Sequence, residues 1–121
     1  MRLALLSLLL LLTGTTAIAE TTFACNMKAL SREERQRYGA LAQKLAAARG
    51  GIAESASGYD FTLELDRLAL RELAEWIELE ARCCPFFTFH VELRGGASTA
   101  VLRLTGPKGV KAFIREEFGL S

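Results

Sequence analysis

Histidine, proline and cysteine are all scarce in this chain of 121 residues, and each scarcity excludes a class of function. With a single histidine, the chain has no H-E-x-x-H zinc motif and little with which to build a Ser-His-Asp triad. With two prolines and no low-complexity run, it offers no obvious linker. It also lacks a C-x-x-C pair and a dinucleotide-binding fingerprint. We therefore expect a small globular binding protein rather than a hydrolase.

Net charge is also nearly absent. Lysine and arginine number 15 against 14 aspartates and glutamates, which gives a formal charge of +1, and no basic run occurs. A neutral chain attracts polyanions weakly. We therefore expect neither nucleic acid nor a membrane surface as a partner, and look instead for a metal ion or a protein.

Residues 1–19 have the pattern of a secretory signal peptide. A basic start, an uncharged leucine-rich stretch and an A-x-A cleavage pattern follow one another, at Met1-Arg2, Leu3–Leu12 and Ala17–Ala19. An uncleaved anchor is the alternative, although this stretch is short for a membrane span of about 20 apolar residues. We expect cleavage, a periplasmic or secreted protein, no membrane contact afterwards, and a single domain over residues 20–121.

Hydrophobic periodicity predicts one helix followed by two strand–strand–helix units. The first helix starts at a capping box on Ser31 and Glu34 and ends before the Gly50-Gly51 pair. The units that follow are predicted as strands 52–56 and 59–65 with helix 67–82, then strands 87–93 and 99–105 with helix 107–118. Because each strand has one apolar face, we expect a two-layer α+β fold. Its antiparallel four-stranded sheet would carry the helices on one face.

The second predicted helix begins after Asp66, a suitable N-cap, and has the clearest apolar stripe. That stripe is formed by Leu70, Leu73, Ala74, Ile77 and Ala81 and extends to Cys84. Glu80 falls at its edge. We expect Glu80 to lie at the rim of the core, with metal ligation as the alternative role.

Two adjacent cysteines, Cys83 and Cys84, stand where Pro85 is expected to end this helix. The remaining cysteine, Cys25, lies far upstream, and an odd number leaves at least one thiol outside any intramolecular disulfide. A bond between the adjacent pair would be strained, because neighbouring Cα atoms are about 3.8 Å apart. Pairing of Cys25 with either neighbour, or a soft ion shared by the thiolates, remains open.

Our leading hypothesis is a small exported protein that sequesters or transfers a soft metal ion. Thiolates select soft ions such as Cu(I) and Hg(II), three of them suit As(III), and a carboxylate can complete a Zn(II) site. We expect the ligands to be Cys25, Cys83, Cys84 and Glu80. His90 alternates with buried aromatic residues, so we expect it on the other face of the sheet, away from the thiols.

Two other classes compete with this hypothesis. In the first, a disulfide from Cys25 to Cys83 or Cys84 staples a non-enzymatic structural or interaction module. In the second, the protein is a thiol reductase or a peroxide-reactive enzyme. That chemistry needs a lowered thiol pKa, which the C-terminal end of a helix disfavours.

The chain also resembles a family of small bacterial proteins of unassigned function, over nearly all of its length after the leader. The similar segments are Cys25–Ser31, the run from Trp76 to Phe87 with its Arg-Cys-Cys-Pro-Phe motif, and Leu102–Pro107. The resemblance implies that the upstream cysteine acts together with the adjacent pair. Similar chains often lack an export signal, which would favour a thiolate site over an obligatory disulfide.

Overall fold

The computed structural model describes residues 23–120 together with Gly14. The predicted signal peptide, residues 1–19, otherwise lies outside the described residues. Within this part of the chain, no helix has the length and apolar character needed to cross a membrane. The elements are a short 3-10 helix (Met27–Ala29), α1 (Arg32–Ala48), β1 (Arg49–Glu54), β2 (Gly58–Glu64), α2 (Leu70–Cys83), β3 (Thr88–Leu93), β4 (Thr99–Thr105) and α3 (Val110–Glu117).

The predicted fold class is confirmed: one antiparallel sheet contains all four strands, in the order β1-β2-β4-β3. The two repeated units meet at the centre, where Phe61 of β2 is paired with Leu102 of β4. One face of the two central strands is buried, through Tyr59, Phe61, Leu63, Ala100, Leu102 and Leu104. The other face is polar, and His90 lies there opposite Arg103, as its alternation predicts.

Helix α1 begins as its sequence predicts. The Ser31 hydroxyl accepts a hydrogen bond from the Glu34 amide at 3.1 Å, and the Glu34 carboxylate accepts one from the Ser31 amide at 2.9 Å. This reciprocal pair satisfies two of the unpaired amides at the helix start. The buried residues of α1 are Leu41, Leu45 and Ala48, and the helix packs against α2 on the covered side of the sheet.

The first strand begins three residues earlier than its sequence indicates. Gly50 and Gly51 lie inside β1, where the pairing with β2 shifts register between Arg49 and Ile52. Two glycines without side chains tolerate such an irregularity, so here they mark a bulge in the strand as well as the end of α1.

Two predicted helix starts were also wrong. Asp66 lies in a turn before α2, and the helix begins after Ala69, whose amide donates to the Glu72 carboxylate at 3.2 Å. Likewise, Pro107 precedes α3, which starts at Val110. In both places a turn takes up the residues that the pattern assigned to the first helical turn.

The buried face of α2 differs most from its prediction. Leu70, Ala74 and Ala81 are exposed, whereas the buried residues are Leu73, Trp76, Leu79, Glu80 and Cys83. The helix is rotated because it is covered by α1 and by the segment before α1 as well as by the sheet. This rotation brings both a carboxyl group and a thiol into the interior.

A close approach between β2 and β4 yields a first prediction. A Cβ atom on Gly58 would overlap the Leu104 carbonyl group and lie 2.9 Å from the Thr105 Cα atom. We expect Gly58→Ala to lower the free energy of unfolding by about 2 kcal/mol or more, because both neighbours are backbone atoms of a central strand. Chemical denaturation measures this change.

Gly39→Ala is the matched control, because Gly39 lies exposed within α1 and a Cβ atom added there would have nothing within 4 Å. Alanine is the better helix former, so this variant should gain about 0.5 to 1 kcal/mol. Equal effects of the two substitutions would contradict the assigned contact.

Candidate functional site

A disulfide joins Cys25 to Cys84, across a separation of 59 residues. Their Cα atoms are 4.6 Å apart, within the ordinary range of about 4.4 to 6.8 Å. Of the pairings left open by the sequence, the structure therefore has the one between the upstream cysteine and the second of the adjacent pair. A bond between Cys83 and Cys84 is not formed.

Cys83 is a free thiol, fully buried at the end of α2. Its Sγ lies 3.9 Å from the Cys84 Sγ and 3.6 Å from the Glu80 carbonyl oxygen, to which it can donate. The Sγ atoms of all three cysteines lie within 4.8 Å of one another. Burial, and next the charge of Glu80, raise the pKa of the Cys83 thiol to about 11. The free thiol is therefore protonated at neutral pH, unlike the reactive thiol of a redox enzyme.

Hydrogen bonds hold the upstream segment against the end of α2. The Asn26 amide donates to the Cys83 carbonyl oxygen at 2.7 Å. The Arg82 guanidinium donates to the Ala29 carbonyl oxygen at 3.0 Å and also pairs with Glu34 at the start of α1. These contacts place Cys25 beside Cys83 and Cys84 independently of the covalent bond.

Aromatic side chains cover the same region. The Phe23 ring lies 4.9 Å from the Phe86 ring, centroid to centroid, and Phe86 meets Phe113 of α3 at 5.1 Å. Leu30, at the end of the upstream segment, is buried in the core. The segment is therefore attached at both ends by apolar packing. Cys83 and Cys84 are fully buried, whereas Cys25 is half-buried.

Glu80 is buried, contrary to its predicted place at the rim, with none of its surface exposed. The Tyr38 hydroxyl donates to its Oε2 at 2.6 Å, and its Oε1 has no hydrogen-bond partner among the described residues. Burial raises the pKa of the Glu80 carboxyl to about 7. Burial, and then the charge of Glu80, raise the pKa of Tyr38 as well.

Cys25 connects the sulfur atoms to a second set of donors. Its Sγ and one carboxylate oxygen each of Glu80 and Glu117 lie within 4.8 Å of one another. Glu117 is exposed, at the last position of α3. The structure thus places the three cysteines in one group, and Glu80 with Cys25 and Glu117 in a second group.

Tyr38 and Glu117 were missed as members of this site. Tyr38 lies in α1, and its hydroxyl reaches a carboxylate 42 residues away. A buried tyrosine usually needs a partner for its hydroxyl, which was the one available signal. Glu117 carries no such signal, because a glutamate at a helix end is ordinarily exposed.

Comparisons of the chain with models of protein families, with curated proteins and with solved structures found no match. The inference about function therefore depends on the site itself.

The buried carboxyl of Glu80 predicts how stability depends on pH. In the folded protein the Glu80 carboxyl keeps its proton up to about pH 7, whereas the ordinary pKa of a glutamate is 4.5. Between these values the unfolded chain binds fewer protons, so the free energy of unfolding falls as pH rises. Below pH 4.5 the protonation of Glu80 does not lower the free energy of unfolding. Above pH 7 the loss of this free energy approaches about 3 kcal/mol, since one pKa unit is about 1.4 kcal/mol.

Chemical denaturation at a series of pH values, on the wild type and on Glu80→Gln, tests this dependence. Glutamine does not ionise, so the variant should lack the decline between pH 4.5 and about 7. Glu33→Gln, at an exposed position of α1, should retain the wild-type decline. Parallel curves for the wild type and Glu80→Gln would contradict the buried titration.

Proposed function

We propose that this protein, in its reduced state, binds a soft metal or metalloid ion through Cys25, Cys83 and Cys84. The observation that carries the proposal is the position of the three sulfur atoms, all within 4.8 Å of one another. Soft thiolate ligands select soft ions, and a distance of this size allows several sulfur atoms to share one ion. The hydrogen bonds of Asn26 and Arg82 support a preformed arrangement, because they do not depend on the disulfide.

The disulfide makes this binding dependent on reduction. While Cys25 and Cys84 are bonded to each other, Cys83 is the only thiol of the cluster. Reduction with an external thiol would supply two more sulfur donors at the same place. We therefore propose the oxidised protein as the form without a bound ion, and the reduced protein as the binding form.

Glu80 can add an oxygen donor for a harder ion. Zn(II) usually takes four ligands in structural sites, and three thiolates with one carboxylate satisfy that number. The Oε1 atom without a hydrogen-bond partner among the described residues supports this role for Glu80. Soft ions such as Cu(I) and Hg(II) need no such ligand.

Sequestration or transfer fits the site better than catalysis. The free thiol is protonated at neutral pH, and Cys83 and Cys84 are both fully buried. A nucleophilic thiol would instead be partly exposed, with a lowered pKa. With the predicted export signal, we place this activity in the periplasm or outside the cell.

Ion binding by cysteine variants tests the proposal. Reduced wild-type protein should bind one soft ion per chain, and Cys25→Ser and Cys83→Ser should each weaken binding at least about 100-fold, because hydroxyl oxygen is a poor ligand for soft ions. Competition titration against glutathione, with Cu(I) and Hg(II), measures the change. His90→Ala should bind like the wild type, because His90 lies on the opposite face of the sheet.

Unchanged affinity and stoichiometry in both cysteine variants would contradict the proposal. So would equal binding by the oxidised protein, in which two of the three sulfur atoms are already bonded to each other.

A structural role for the disulfide is the second candidate, and the disulfide itself favours it. The bond attaches the upstream segment to the end of α2, where Asn26 and Arg82 also hold it. In this role the protein would be a stapled interaction module, and Cys83 a buried apolar side chain.

Stability measurements test the structural role of the disulfide. Closing a loop of this length stabilises a fold by about 4 kcal/mol in the chain-entropy model, so Cys25→Ala with Cys84→Ala should lose about that amount. Cys83→Ala keeps the disulfide and should lose only about 1 kcal/mol. A loss below that of Cys83→Ala would exclude the staple, and thermal and chemical denaturation both report it.

A further inference from the structure

Negative charge accumulates around the three sulfur atoms. Cys83 and Cys84 stand at the C-terminal end of α2, where the backbone carbonyl groups of the last turn carry partial negative charge. One carboxylate oxygen each of Glu80 and Glu117 lies within 4.8 Å of the Cys25 Sγ, in a second group that shares only Cys25 with the sulfur cluster. Three thiolates would add three further negative charges to a site in which two of the cysteines are completely buried.

No lysine or arginine side chain among the described residues bonds to this cluster, and the charge of Arg82 lowers the pKa of the Cys83 thiol less than burial and Glu80 raise it. Arg82 is the basic residue next to Cys83 in sequence, but its guanidinium pairs with Glu34 and donates to the Ala29 carbonyl oxygen. Within residues 23–120, no lysine or arginine side chain forms a hydrogen bond or an ion pair with Glu80 or with any of the three cysteines. The bound ion itself must therefore supply the positive charge.

We propose that the ion is a trivalent metalloid, arsenic(III) or antimony(III), an inference that rests on the proposed soft-ion function. Three thiolates with a trivalent ion form a neutral complex, whereas a divalent or monovalent ion leaves one or two negative charges. A net charge buried without a partner is strongly disfavoured. A trivalent metalloid also binds three sulfur ligands, and its own lone pair occupies the remaining position. It therefore needs neither Glu80 nor water as a ligand.

The binding reaction is balanced without any change in oxidation state. Arsenite at neutral pH is the uncharged acid As(OH)3, which reacts with three cysteine thiols. Three As–S bonds form and three As–O bonds break, while each hydroxide leaves with a thiol proton as water. The disulfide between Cys25 and Cys84 must first be reduced by two molecules of a monothiol such as glutathione, which together give up two electrons and two protons and become one disulfide.

This reaction has a distinctive pH dependence. Metal cations displace protons from thiols, so the affinity of the protein for them rises with pH. Arsenite instead consumes the displaced protons as water forms, so its binding releases no net protons. Between about pH 6 and 8, arsenite affinity should therefore be nearly constant, and Zn(II) affinity should rise steeply.

The test uses the full reduced chain in oxygen-free buffer with excess glutathione as a competitor. Its affinity for arsenite, Cu(I), Hg(II) and Zn(II) is divided by that of glutathione for the same ion, and alkylation counts the protected thiols. We expect the largest ratio for arsenite, with all three cysteines protected. His90→Ala, on the opposite face of the sheet, should leave that ratio unchanged. Cys25→Ser should reduce it at least about 100-fold, because one of three As–S bonds is lost.

A larger ratio for Cu(I), Hg(II) or Zn(II), with all three thiols protected by that ion, would overturn the metalloid inference and leave the soft-ion function intact. Arsenite protecting only two thiols would also overturn it. Failure of every ion to protect the cysteines would instead contradict the proposed function. Circular dichroism of Cys25→Ser shows whether this variant is folded, so that a loss of affinity can be assigned to the missing ligand. If the variant is unfolded, the affinity ratios of the wild-type protein test the inference.

Discussion

The bond between Cys25 and Cys84 joins a segment before the first helix to the end of the second one. The arrangement of the site follows from that docking. It places the third sulfur atom beside the other two, and it helps to cover α2 on the side away from the sheet. The Asn26 amide and the Arg82 guanidinium make the same connection without covalent chemistry. For that reason the cysteines should remain close to one another after reduction, as the proposed ion binding requires.

The same docking encloses groups that the core would otherwise exclude. A carboxyl group and a thiol are both fully buried, and both have raised pKa values because their charged forms are poorly solvated there. Stability alone does not explain such groups, since apolar residues of similar volume would avoid the cost of burial. Under the proposed function, the thiol is a ligand of the bound ion. For Glu80 the structure offers two uses, the hydrogen bond with Tyr38 and an oxygen atom that still lacks a partner among the described residues.

Local sequence patterns were sufficient for the architecture but not for the site. Alternation along β2 and β4 and the capping box of α1 identified their elements because each signal lies within a few residues. The stripe of α2 failed because its orientation depends on which neighbours cover the helix, and those neighbours are distant in sequence. The choice between Cys83 and Cys84 likewise depends on the direction in which each side chain leaves the end of the helix. The contact between Tyr38 and Glu80 spans 42 residues, which no periodicity encodes.

The most direct test of the account is the arsenic-edge X-ray absorption spectrum of the reduced protein with one equivalent of arsenite. It reports the number and type of atoms bound to the ion without relying on affinity. We expect three sulfur neighbours and no oxygen neighbour. Two sulfur neighbours with one oxygen, or a spectrum identical to that of free arsenite, would contradict it.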